Sequence, residues 1–463
     1  MTLIRLTGAE MARLLRGGRT RALLALLALM LLASGLAGRS DTARQSRESA
    51  AAAARDRAHW LDQSPKNPHR AAHYGLWLFR PPAPLAAIDA GVEPFSGRVI
   101  RVEAHHPGAP LYQSATDAPP LSRAGAAGLA DLLGLVAPLV AVLLGLGALA
   151  HDRETGRLRL AVGNGIALGR LVAVRLLAAL ALLALAIGVP VLLVGAPGIA
   201  DAAQFGRLAL LILAYIGYAA LFLLLAGAAS LAFRRSAPAL AAMLALWLGV
   251  CVVTPRLAAA GVERTSPVPS PTAVLKSIDR RNADYNGRAA FETRKKALAA
   301  RLAHAGENGR INPMGELLYA RDHHDYAVYD AAIGQLDRQA ADRDRRLALA
   351  GLASPLLSLT FVGSALAGSD TAAQRAFVRA AEDYRRTLSD RMNLALRAQP
   401  GPAENAMAVS AGADLWKRLP PFTPPTVSLA ARGWSLGLPA LLLLGWLAGA
   451  LALLLFVVRK ARP

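Results

Sequence analysis

Residues 171–195 read LVAVRLLAALALLALAIGVPVLLVG, an apolar run whose single charge, Arg175, sits near the end that follows a polar stretch. A helix rises 1.5 Å per residue, so about 20 apolar residues cross the ~30 Å hydrocarbon core of a bilayer. This run is long enough, and Pro190 inside it is tolerated by membrane helices. The same reading applies outward in both directions. Upstream lies 126–150. Downstream lie 208–233 and 237–253, joined by the tight turn Arg234-Arg235-Ser236. The outermost runs are 22–38 and 434–458. The expected fold class is an all-α polytopic membrane protein with six transmembrane helices.

The polar segments between the runs are unequal. Residues 1–21 place Leu3, Leu6, Met11, Leu14 and Leu15 among arginines, the pattern of an amphipathic helix lying on a membrane surface. Residues 39–125 and 256–432 are large enough to be extramembrane insertions. In the first, Ser40 to Asp62 is Ala-rich and helical in character. Pro65, Pro68, Pro81, Pro82 and Pro84 then break it up, and Val99-Ile100-Arg101-Val102-Glu103 reads as a short strand. The second opens with Pro267, Pro269 and Pro271 and closes with Pro420, Pro421, Pro424 and Pro425. Between them, Tyr329, Ile333, Leu336, Ala340 and Leu347, and again Phe377, Ala381, Tyr384, Leu388 and Met392, recur at helical spacing. Both insertions are therefore expected to be mainly helical with minor β structure. Pro355 to Leu366 is apolar but too short to span, and is expected to be a packed or interfacial helix.

Lysine and arginine fix the orientation. Five arginines precede residue 22, Arg153, Arg157, Arg159 and Arg170 lie in 151–170, Arg234 and Arg235 form the next turn, and Arg459, Lys460 and Arg462 occupy the tail 459–463. The short loop 196–206 on the opposite side has none. By the positive-inside rule both termini face the cytoplasm of a bacterial inner membrane, and both insertions are extracytoplasmic. The first run is also compatible with a signal peptide, but a retained helix fits this topology. The net charge of +21 does not indicate nucleic acid, because the arginines flank apolar runs and aromatic residues are only 5%. Cys251 is the one cysteine, which rules out an intrachain disulfide.

The chemistry is marked by absences. None of the lysines follows a glycine, so there is no P-loop. The spans carry almost no ionisable residue at mid-membrane. Asp131 and Arg175 lie near span ends, and no ion relay is visible as a secondary transporter would need. No catalytic group, cofactor-binding residue or metal ligand set is assigned. His323 and His324 are adjacent and diverge by about 100° on a helix, and His105-His106 is no stronger a candidate. The sharpest local feature is His151-Asp152-Arg153-Glu154-Thr155-Gly156-Arg157-Leu158-Arg159. It is either a solvated loop that anchors topology or a docking helix for a cytoplasmic partner.

That loop resembles the first cytoplasmic loop of ABC-2 type permeases, with Arg153-Glu154-Thr155-Gly156-Arg157-Leu158 followed by Gly169-Arg170-Leu171. Where the family often has a lysine at the start of the next span, this chain has Arg170 and Arg175. His73-Tyr74-Gly75, Pro84 to Gly91, Val102-Glu103-Ala104-His105, Ala367-Gly368-Ser369-Asp370 and Arg375-Ala376-Phe377 resemble a branch with large insertions after the first and fifth spans. The resemblance implies a non-catalytic permease subunit, usually exporter-like. It implies a separate cytoplasmic ATPase that carries ATP and Mg and docks on 151–170, and a second permease copy or sister permease. Gly433, Gly437, Gly445 and Gly449 form two G-x-x-x-G repeats, which suit close helix packing within the chain or across a dimer. The competing expectation is a membrane-anchored extracytoplasmic receptor or enzyme without ATP-driven transport.

Overall fold

The structure is a computed structural model that describes residues 2–111, 113, 128–307, 309–400 and 407–461. In chain order, α1 (Leu3–Arg16) and α2 (Gly18–Leu61) precede α3 (Pro68–Tyr74), β1 (Leu76–Phe79) and β2 (Val99–Val102). Then come α4 (Leu129–Glu154), α5 (Arg157–Gly163), α6 (Leu168–Gly195), α7 (Ala202–Ala232) and α8 (Ser236–Thr265). The second polar region supplies α9 (Pro271–Asn286), α10 (Arg288–His304), α11 (Pro313–Leu349), α12 (Pro355–Ala367), α13 (Thr371–Arg397), α14 (Ala413–Lys417) and α15 (Leu429–Arg432). The last helix is α16 (Trp434–Lys460). Six helices among the described residues are long and apolar enough to cross a membrane: α2, α4, α6, α7, α8 and α16. The protein is an all-α polytopic membrane protein with one small sheet. The start of the second expected span (126–127), the end of 39–125 and residues 462–463 of the tail lie outside the described residues.

The bundle is built around α7, which touches α4, α6, α8, α12 and α16. Its residues Leu208, Leu211, Tyr215, Tyr218 and Phe222 are fully buried. Apolar burial alone does not hold helices together in lipid; close fit and hydrogen bonds do. Gly145 provides the fit between α4 and α7, because a Cβ there would come within 2.7 Å of the Ala226 Cβ and 2.8 Å of the Leu223 carbonyl. Two π-helical stretches, Leu132–Val136 in α4 and Leu248–Val253 in α8, supply the hydrogen bonds. A π turn shifts the backbone pattern and leaves carbonyls available. The Tyr218 hydroxyl donates to the Gly134 carbonyl at 3.1 Å, Trp247 Nε1 to the Leu135 carbonyl at 3.1 Å, and the Ser354 hydroxyl to the Val250 carbonyl at 2.6 Å.

The apolar segment Pro355–Ala367 is α12, capped by Ser354 and ended by Gly368 at φ +84°. At about 20 Å it is too short to cross. It lies against α7 and α16 inside the bundle's apolar cluster, and its approach is pinned where Trp446 Nε1 donates to the Gly351 carbonyl at 2.9 Å.

Two boundaries differ from the sequence expectation. The run 22–38 and the helix expected from Ser40 are one unbroken helix, α2: no proline interrupts Gly18–Leu61, Gly35 and Gly38 are packed against Val194, Leu129 and Ala87, and the Ala-rich stretch continues the helix. The expected span 237–253 extends to Thr265. Pro255 follows directly on a π stretch, so its missing N–H falls where the α-helical pattern is already shifted.

The two insertions share one core, and the second adds two smaller apolar clusters of its own, around Tyr329 and around Leu302. β1 and β2 pair antiparallel, from Leu76 opposite Val102 to Phe79 opposite Val99. One face of this ribbon turns Leu76, Leu78, Ile100 and Val102 inward against Phe377, Ala381, Leu388 and Met392 of α13. Trp60 and Trp416 close the core edge to face, 6.1 Å apart. Trp60 Nε1 donates to the Trp416 carbonyl at 3.0 Å, and Trp416 Nε1 to the Gln63 carbonyl at 3.2 Å. Both indoles are 0% exposed, so each contributes burial together with a satisfied polar edge.

The shared domain meets the bundle through buried polar contacts. Asp370 caps α13 and forms a two-point pair with Arg432, at 2.9 and 3.0 Å, beside the start of α16. Asp89 accepts from the Tyr215 hydroxyl at 2.9 Å and from the Gly91 N–H at 3.0 Å. Burial pushes the Asp89 carboxyl up to about 6, and these two bonds oppose that shift.

Candidate functional site

At the arginine-rich end of the bundle, α4 runs past the apolar region, turns at Gly156 and continues as α5. Gly156 adopts φ +74°, a left-handed conformation that a Cβ disfavours, which lets the chain reverse within one residue. His151 lies in the last turn of α4. Asp152, Arg153 and Glu154, expected as part of a docking surface, bond to neighbouring helix ends; Asp152 and Arg153 are half-buried and Glu154 is exposed. The Arg153 guanidinium donates to the Leu231 carbonyl and lies 3.4 Å from the Ser230 and Phe233 carbonyls, covering the C-terminal carbonyls of α7. Glu154 Oε1 accepts from the Ser236 N–H at 2.6 Å and from its hydroxyl at 2.8 Å, at the start of α8. Asp152 pairs with Arg175 of α6, and Arg175 Nε lies 3.8 Å from Glu10, which itself pairs with Arg13 at 2.5 Å.

The root of the loop is thus fastened to α1, α6, α7 and the α7–α8 turn. The α1 helix, expected on the membrane surface, is drawn into this network and packs Met11 and Leu14 on the bundle core. Beyond the root, most side chains are exposed. Leu158 is buried, while Leu160 is 67% exposed and Ile166 43%. Arg157 and Arg159 are exposed beside them, with Arg157 only 3.9 Å from Asp152 at its nearest. Thr155 lies exposed just before Gly156. The tip therefore exposes two apolar side chains, Leu160 and Ile166, together with Arg157 and Arg159, on a stem bonded to neighbouring helices.

A family model for ABC-2 family transporter proteins matches residues 5–289, more than half of the chain. The chain belongs to the ABC-2 transporter family. Members are the membrane components of transporters, generally non-catalytic themselves, and the family implies an ABC ATPase partner. A second model, a domain of unknown function (DUF3526), matches residues 277–424. No curated protein and no solved structure matched the chain.

The glycine repeats of this ABC-2 protein lie on an open face. A Cβ added at Gly433, Gly437, Gly445 or Gly449 would meet nothing within 4 Å, so these residues do not mediate packing within the chain. Among the histidines, His323 turns to Asp390 at 3.4 Å and His324 stacks on Tyr285 at 3.7 Å, so the neighbours do diverge. The sequence expectation assigned no metal ligands. The fold nevertheless brings His69, His73 and His105 together, with one ring nitrogen from each within 4.8 Å of the others. The signal available in the sequence was His69-x-x-x-His73, one helical turn apart.

Proposed function

We propose that this chain is the permease subunit of an exporter-like ABC-2 transporter, and that a separate cytoplasmic ATPase docks on α5 and the turn that follows it. The observation that carries the reading is the division of the 151–170 loop into an anchored root and an exposed tip. Arg153, Glu154 and Asp152 bind the root to the ends of α6, α7 and α8, while Arg157, Arg159, Leu160 and Ile166 face outward. Motion imposed at the tip by nucleotide binding then reaches several spans at once. In this reading the arginine-rich end and both termini are cytoplasmic in a bacterial inner membrane, and the shared domain is extracytoplasmic. ATP and Mg belong to the partner chain. Six spans make half of a translocation unit, so a second copy or a sister permease completes it. The open glycine face of α16 is available for that contact.

The experiment is copurification of the ATPase with the double variant Arg159→Glu/Leu160→Asp. The variant inserts and folds like the parent, because neither side chain is buried, but it loses the ATPase. Undiminished copurification, with undiminished stimulation of ATP hydrolysis, sinks the docking assignment.

A further inference from the structure

Asn67 and Pro68 start α3. The Asn67 side chain accepts from the His69 N–H at 2.9 Å and proline occupies the first helical turn, so His69 and His73 project from one face. His105 arrives from the turn after β2 with φ +66°, the one non-glycine residue at positive φ among the described residues. That conformation aims its ring back at α3. His69 Nε2 lies 3.2 Å from His73 Nε2 and 3.2 Å from His105 Nε2. Nitrogens bound to one tetrahedral zinc at 2.0–2.1 Å are separated by roughly 3.3–3.4 Å.

The surrounding hydrogen bonds decide which ring nitrogens carry protons. The Asp322 carboxylate only accepts, and it is 1% exposed. It takes one bond from His105 Nδ1 at 2.7 Å and another from Asn393 Nδ2 at 2.8 Å. The Asn393 amide is thereby oriented with its oxygen toward His69 Nδ1, at 3.0 Å, so His69 also donates from Nδ1. With Nδ1 of both rings donating, the Nε2 atoms of His69 and His105 face each other, and a proton or a metal ion must lie between them.

We infer that His69, His73 and His105 bind a divalent transition-metal ion of the zinc class through their Nε2 atoms, with Asp322 and Asn393 orienting two of the ligands. Three imidazoles suit zinc and its neighbours better than calcium or magnesium, which prefer oxygen. A carboxylate behind a ligating histidine is the usual supporting arrangement. The ligands come from the first insertion and the supporting side chains from α11 and α13 of the second, so the ion fastens the two parts of the domain. His73 is exposed, which leaves a fourth position open to solvent or to an exogenous donor.

The test uses the full chain in detergent with an affinity tag that contains no histidine. The protein is stripped with chelator, dialysed against Zn²⁺ and assayed for bound metal, with Co²⁺ loading as a spectroscopic check. One ion per chain and the visible bands of tetrahedral Co²⁺ are expected. His73→Ala, an exposed change that leaves the domain core intact, abolishes both. Asp322→Asn weakens binding by about 10–100-fold. His323→Ala/His324→Ala leaves stoichiometry and affinity unchanged. Substoichiometric uptake by the parent, or equal affinity in His73→Ala, overturns the site. Neither result bears on ATPase copurification, so this inference and the transport reading fail separately.

Discussion

The membrane bundle and the domain above it solve the folding problem in different ways. Each bundle helix satisfies most of its own backbone, the carbonyls of the two π stretches being bonded by side chains of neighbouring elements, and the contacts between spans select among arrangements. The domain has no such independence. Its core joins Trp60 to Trp416 and Ile100 to Leu388, segments separated by most of the chain and by four spans. Insertion of the bundle must bring these segments together before either can bury its apolar face. The bundle is therefore the scaffold on which a non-local domain becomes possible.

Three substitutions test this contrast. Trp416→Ala removes a fully buried indole and its Nε1 hydrogen bond to the Gln63 carbonyl, and is expected to destabilise the domain by about 3–5 kcal/mol. Limited proteolysis will then cut the domain while the bundle stays resistant. If both are lost together, the two regions are one cooperative unit.

Asp89 at the junction gives a smaller effect that depends on pH. Its carboxyl is pushed up to about 6, so the folded protein holds this proton more tightly than the unfolded chain. The associated stability is fully present below the ordinary carboxylate range and falls as pH rises through about 6. Thermal unfolding of the parent should lose stability from pH 4 to 7, and Asp89→Asn should flatten that slope. A slope unchanged in the variant removes Asp89 as its source.

The smallest effect is expected at Gly445→Leu. A Cβ at this position meets nothing within 4 Å, so the stability of the single chain should change by no more than about 0.5 kcal/mol. A shift in oligomeric state without a shift in monomer stability would assign this face to a second subunit.

The legibility of the sequence follows the same division. Spans are decided by continuous runs, and all six could be read directly. The inward stripe of α13 was also visible, because Phe377, Ala381, Tyr384, Leu388 and Met392 repeat at one turn's spacing. The pairing of β1 with β2 was half legible: Val99–Val102 alternates with a charge, whereas Leu76–Phe79 does not. The shared core across both insertions left no local trace, since its contacts link residues hundreds of positions apart. At the 151–170 loop the sequence located the segment but not its hydrogen-bond partners. The bonds from Arg153 and Glu154 become visible only when the ends of α7 and α8 are placed beside them. The histidine cluster needed three separate elements in register, and the adjacent histidine pairs drew attention away from it.

The unbroken course of α2 has a mechanical consequence. Residues 39–61 extend the first span by ~35 Å beyond the apolar region without a hinge. A tilt of about 5° at the bilayer displaces the Trp60 end by ~3 Å, so a small rocking of the first span becomes a stroke in the domain. That rod also touches α6, whose inner end holds Arg175, so the two faces of the membrane are connected by rigid parts with little slack.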